Sequence, residues 1–290
     1  MSSSPATTRS PATSVSRPKV TARTLRVTGG LFTPVLLGLI GLAWVALFLW
    51  EAGPYGRYLN HGNWTDAGFA ATICTVLPKG EVLLPLTLYA GGWLLMSAAM
   101  MLPTTLPLLT IFRRMVEGQP DGRALVTLVI GGYLLAWAGF GVVAHLLDVG
   151  VNLVVRQVDW LVFNGWALGA AVLTLAGVFQ FSGLKHQCLI RCRAPFSFVV
   201  SRWHGTAPRL EALRIGLDHG VFCVGCCWAL MLLMFVVGTG SVGWMLALGA
   251  VMALEKNIAG DGWLTQHLGD VIGVVLLAVA LVITMTHVPI

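Results

Sequence analysis

Residues Asp218–Met234 read DHGVFCVGCCWALMLLM and carry three of the chain's six cysteines, Cys223, Cys226 and Cys227. The stretch lies inside a long apolar run, Ile215–Val237, which is of a length and composition to cross a membrane as a helix. At roughly 100° per residue, His219, Cys223, Cys226, Cys227, Leu230 and Met234 fall within an arc of about 100°. One face of that helix therefore carries an imidazole, three thiols and a thioether. Thiolates and thioethers are the soft donors that select Cu(I) and related ions. A single buried cysteine is an ordinary small hydrophobe. Three at i, i+3 and i+4, with a histidine one turn earlier, form a pattern that packing alone does not require.

The rest of the chain has the same apolar character. Of its 290 residues 57% are hydrophobic and only 10% charged, with a mean hydropathy of +0.82. Soluble domains carry about 25% charged residues, so the composition predicts an all-α, polytopic transmembrane helix bundle. Seven apolar runs are expected to span: Leu31–Trp50, Val82–Phe112, Ala124–Leu147, Leu161–Phe181, Ile215–Val237, Ser241–Leu254 and Val271–Thr286. The sixth is the shortest, below the ~20 residues a spanning helix needs. Residues 1–28, rich in Ser, Thr, Pro and Arg, are expected to be a disordered basic cytoplasmic tail. Residues 29–290 are expected to form a single transmembrane helical domain. Val149–Trp160 is expected to be a separate amphipathic segment lying along the membrane interface.

The net charge of +6 and isoelectric point of about 9.2 do not indicate nucleic acid, because the basic residues are sorted by side. With the N-terminus in the cytoplasm, fifteen of the eighteen Lys and Arg fall on the cytoplasmic side; Arg57, Lys79 and Arg156 fall outside. The positive-inside rule then predicts a multi-pass protein of the plasma membrane with a cytoplasmic N-terminus and an external C-terminus.

Other sulfur-bearing segments accompany the triplet. Met96, Met100 and Pro103 share a face in GGWLLMSAAMMLPTTLP, and Met101 points about 100° away from Met100. Pro103 and Pro107 are expected to kink that helix or end its regular part, and kinks in membrane helices free backbone carbonyls. Cys188 and Cys192 stand at i, i+4 in FQFSGLKHQCLIRCRAP, followed by Pro195. Cys74 is alone in the loop before the second span. Glu255 and Lys256 end the sixth span and are expected to close it at the interface, although charge within an apolar run is itself a functional signal. Gly216 and Gly220 form a small-xxx-small pair suited to close helix packing.

MSAAMMLP at Met96–Pro103, LKHQCLIRCRAP at Leu184–Pro195 and GVFCVGCCWALMLLMFVVG at Gly220–Gly238 together resemble, in order and spacing, the bacterial integral-membrane family called domain of unknown function 2182, described as metal-binding. The likeness runs from about Leu83 to Lys256. It implies that Met96, Met100 and Met101 form one ligand-like segment, Cys188 and Cys192 a second, and Cys223, Cys226 and Cys227 a third.

Three functions fit these residues. The first is binding of a soft metal, with copper expected and zinc the second ion, for relay or transport. Cys223, Cys226, Cys227, Cys188, Cys192, Met96 and Met100 are its candidate ligands, and His219 is a further ligand or a support to one. The expected partners are the lipid bilayer and other membrane or metal-handling proteins. The second is thiol–disulfide exchange at Cys223-x-x-Cys226, set against the apolar surroundings, which disfavour a reactive thiolate. The third is a structural or assembly subunit in which the sulfurs only fill space. No phosphate loop, paired carboxylates within a span or Ser/His/Asp arrangement points to a conventional enzyme.

Overall fold

Seven apolar runs in a bilayer must satisfy their own backbone hydrogen bonds, and helices are the solution open to them. The computed structural model of the protein describes residues 32–53, 83–237, 241–257 and 263–287. Each of the seven runs is mainly helical where described, and no strand occurs among the described residues. The expected tail and the loop with Cys74 lie outside them. Five helical segments are long and apolar enough to cross a membrane: Phe32–Ala52, Ala90–Met115, Gly122–Val155, Pro208–Val236 and His267–His287. A bent pair, Gly165–Gln180 with Gly183–Arg193, gives a sixth if it counts as one span.

Helix α1 (Phe32–Ala52) turns Leu36, Ile40, Ala43 and Leu47 inward and leaves Leu42, Phe48 and Leu49 exposed, as a helix facing lipid does. Helix α2 (Leu83–Met101) ends where the prolines begin. Leu102–Thr105 is a single 3₁₀ turn, and α3 (Leu106–Met115) starts with Pro107 in its first turn. The regular α-helix stops at this proline-bearing turn, and the carbonyl of Met101 accepts from the hydroxyl of Thr104 at 2.7 Å and of Tyr133 at 3.2 Å. The break in the helix is thus a point of attachment for a neighbouring helix.

That neighbour is α4 (Gly122–Gln157), 36 residues without a break. The separate interfacial segment expected at Val149–Trp160 is instead its continuation. No proline intervenes, and the Asn152 amide donates to the Asp148 carbonyl and carboxylate, at 2.9 and 3.1 Å, across the anticipated boundary. Only α5 (Asp159–Phe163) remains as a short separate helix. Helix α6 (Gly165–Gln180) and α7 (Gly183–Arg193) are bent by 63°. Ser182 caps the restart, accepting from the Lys185 N–H at 3.2 Å. Helix α8 (Pro195–Val200) begins at Pro195, as the helix stop expected there allows.

Helix α9 (Pro208–Leu232) starts seven residues before its apolar run. Glu211 makes this possible. Its carboxylate accepts from the backbone N–H groups of His204, Gly205, Thr206 and Ala207 at 2.7–3.1 Å, which ties the preceding loop to the first turn and caps it through the N–H of the N-cap residue Ala207. Further along, Gly216 and Gly220 press α9 onto α4. A Cβ on Gly216 would run into the Val129 carbonyl, and one on Gly220 would lie 2.6 Å from the Ala136 Cβ. The small-xxx-small pair therefore sets a close helix crossing in the bundle core, and it brings Tyr133 of α4 against the cysteine face of α9.

Helices α10 (Met234–Val237), α11 (Val242–Asn257) and α12 (Trp263–His287) complete the chain. At 16 residues, or about 24 Å at 1.5 Å per residue, α11 falls where the sixth span was expected but is not among the helices long and apolar enough to cross a membrane.

Candidate metal centre

Cys223, Cys226 and Cys227 are each 1% exposed. With no water to bond, their thiols turn to the nearest acceptors. Cys226 and Cys227 both donate to the carbonyl of Cys223, at 3.1 and 2.8 Å. The Cys223 sulfur lies 3.0 Å from the Tyr133 hydroxyl. Two further side chains, Lys256 and Met101, close on the same point. Lys256 of α11 places Nζ 2.8 Å from Cys223 Sγ, 3.9 Å from Cys227 Sγ and 3.8 Å from the thioether of Met101, at the end of α2.

The second cysteine pair arrives on α7. Its Cys192 lies beside Cys226, close enough for the two side chains to interact. Cys188 lies over Gly225 of α9, where a Cβ would stand 2.7 Å from its sulfur. Glycine at 225 is therefore what lets α7 approach. Arg191, stacked 4.5 Å over the Phe222 ring, holds the two helices together from the other side. Cys188 is buried and Cys192 partly exposed, and all five described cysteines are free thiols.

The remaining expected residues divide. His219, one turn before Cys223, is buried between the rings of Tyr133 and Phe198, at centroid distances of 6.0 and 5.4 Å. Its Nδ1 has no hydrogen-bond partner among the described residues. Met96 and Met100 are buried. Met100 packs toward α11, where a Cβ on Gly249 would be 3.6 Å from its Cγ. Met101, turned about 100° from Met100, is the methionine whose sulfur faces Lys256.

Glu255 and Lys256 do not close α11 at the interface as expected. They are 2% and 7% exposed. Each has found internal partners across a helix boundary. Lys185 of α7 pairs with the Glu255 carboxylate at 2.6 Å and also bonds the Gln180 side chain. Arg193 donates through Nε, at 2.8 Å, and through Nη2 to the Glu255 carbonyl, one of the last-turn acceptors of α11. Tyr133 was invisible in sequence, because a tyrosine in an apolar run carries no signal of its own. Lys256 did carry one, as a charge at the edge of a span.

Among the described residues no three His, Cys, Asp or Glu side chains already stand together in a metal-holding arrangement. Two features of the geometry account for this. The thiols of Cys226 and Cys227 are folded back onto their own helix, and the ammonium of Lys256 stands between Cys223, Cys227 and Met101. The donor set itself, thiols and a thioether without carboxylates, has the chemistry of a soft-ion site.

The fold and cluster define a polytopic helix bundle with sulfur donors gathered in its interior, a class suited to handling a soft metal. Residues 90–283 match the model of the PpoB2 family, described as a copper chaperone, and the chain belongs to that family. The matched region contains all the sulfur residues of the cluster and leaves out α1 and Cys74. The match is to a copper-related family; the name domain of unknown function 2182 is not part of it. No curated protein and no solved structure matches the chain.

Proposed function

We propose that the protein takes up Cu(I) on the sulfur cluster and passes it on. Copper is here cargo, not a resident cofactor. The observation that carries the reading is the meeting of Cys223, Cys226 and Cys227 with Cys192 and Met101, from three separate parts of the chain, inside the bundle. Membership of a copper chaperone family supports it. Cys192, partly exposed beside Arg191 and Arg193, is the receiving thiol; Cys226 is its neighbour in the interior; Cys223, Cys227 and Met101 form the deeper set. Cys188, His219, Met96 and Met100 line its surroundings. Exchange between adjacent sulfurs suits an ion that must leave again better than a closed four-coordinate cage, the arrangement typical of structural zinc.

Metal analysis of the detergent-purified protein, prepared without chelators, tests this. Near-stoichiometric copper is expected in the wild type and none in a Cys223/Cys226/Cys227→Ser variant. Equal metal in both, or none in either folded protein, would move the cluster to a packing role within a membrane assembly. Zinc in place of copper would keep the site and change its cargo.

The same reading places the protein in the plasma membrane with the N-terminus inside, on the strength of the Lys and Arg asymmetry. Cys192 and the basic connection after it would then face the cytoplasm. A fluorescent protein that folds only in the cytoplasm, fused after Ile290, is expected to stay dark; a bright fusion would reverse the direction of transfer.

A further inference from the structure

Lys256 is buried and, among the described residues, makes no ion pair with a carboxylate. The adjacent Glu255 is taken by Lys185. Among the described residues, every hydrogen bond of the Lys256 ammonium goes to sulfur: Cys223 at 2.8 Å, Met101 at 3.8 Å and Cys227 at 3.9 Å. A charge inside a membrane bundle is expensive and usually faces a partner or marks a function. Here the partner is the donor set of the cluster itself.

An ion bound by these sulfurs would sit about 2.3 Å from each, the usual length of a metal–thiolate bond. The ammonium already fills the space bounded by the same three atoms. Metal and Nζ cannot share it, both for want of room and because two positive charges at that separation repel strongly in a medium of low dielectric.

We infer that Lys256 is a tethered cation that occupies the sulfur cluster before copper arrives and is displaced by it. Cu(I) binds thiolates, so each thiol that coordinates it gives up its S–H proton to solvent as the Cu–S bond forms, and no oxidation state changes. Nζ gives up its three contacts to sulfur and turns away from the cluster, and Cu(I) takes its place. When copper leaves, the lysine returns. The lysine competes with the cargo and so lowers its affinity, which favours release over storage. The inference rests on the proposed function, since it assumes that copper is the cargo.

The test is Cu(I) competition between the purified full-length protein and a chromogenic Cu(I) chelator, for wild type and Lys256→Leu, with the rate of transfer to the chelator followed in the same samples. Leucine has no donor atom, so it can tighten binding only by removing the competitor. The expected result is at least tenfold tighter binding in Lys256→Leu, with copper transferred correspondingly more slowly. Equal or weaker binding would overturn the inference and make the lysine a support for the sulfurs. If Lys256→Leu does not give monodisperse protein, Lys256→Gln, neutral and able to hydrogen-bond, is held to the same criterion. Absence of copper binding in the wild type would sink the proposed function and this inference together; copper binding in the wild type without tightening in the variant would sink this inference alone.

Discussion

Serine at Cys223 is expected to abolish tight copper binding while leaving the bundle folded. Cys223 is where the cluster converges. Its sulfur touches the Tyr133 hydroxyl and the Lys256 ammonium, and its carbonyl holds the thiols of Cys226 and Cys227. Serine is close to cysteine in shape and keeps that carbonyl. Its hydroxyl also bonds to Tyr133 and Lys256, so the packing of α9 on α4 survives. The hard oxygen is a poor donor for Cu(I). A loss of affinity of about 100-fold or more is expected, or roughly 2.8 kcal/mol at 1.4 kcal/mol per tenfold change. Cys188→Ser is the internal comparison. Cys188 lies over Gly225 and, among the described residues, has no hydrogen bond to Lys256 or Met101, so its loss is expected to fall well short of that. Competition with a Cu(I) chelator, on variants shown to be monodisperse, measures both. Unchanged affinity in Cys223→Ser would remove the cluster from the copper path, whatever the triple variant does.

The contrast between these two cysteines shows how far a sequence can be read. The cysteine face of α9 was legible because it is a property of one helix: positions 219, 223, 226, 227 and 234 follow from helical periodicity alone. The close approach of α4 was legible for a similar reason, since Gly216 and Gly220 announce a contact without naming the partner. The identity of the groups that meet that face was not legible. Whether Met100 or Met101 turns its sulfur to the cysteines depends on the azimuth of α2 at its proline break, which is set by Tyr133 and Thr104 binding the Met101 carbonyl. A charged pair at the end of an apolar run reads equally as an interface marker or a buried site. Lys185 and Arg193 decide between them, from beyond a 63° bend that no local pattern encodes. The overlong α4 belongs to the same class, because Asn152 carries the helix past the point where hydropathy falls.

That buried pair is the basis of the second large effect. Glu255→Leu is expected to destabilise the protein by about 3–5 kcal/mol, the usual consequence of removing one partner of a buried ion pair. The side chains of Lys185 and Glu255 are each 3% exposed. Without Glu255, Lys185 keeps only the neutral side chain of Gln180, and its charge is left in the interior without compensation. The Arg193 bonds to the Glu255 carbonyl persist, since they do not depend on the side chain. A fall in apparent melting temperature on the order of 10 °C follows from the usual relation between free energy and melting point. Scans on detergent-purified protein at one fixed heating rate would read it. The double variant Lys185→Met/Glu255→Leu is expected to recover most of the loss, because it removes the charge together with its partner and leaves apolar groups of similar length. Recovery separates an uncompensated charge from lost packing. If the single variant melted like wild type, water or lipid headgroups would have to reach Lys185, and the pair would be a surface feature of the folded state. If the double variant were as unstable as the single, Glu255 would act through its shape at the junction of α7 and α11, and the position of Lys256 one residue further on would depend on packing instead of charge.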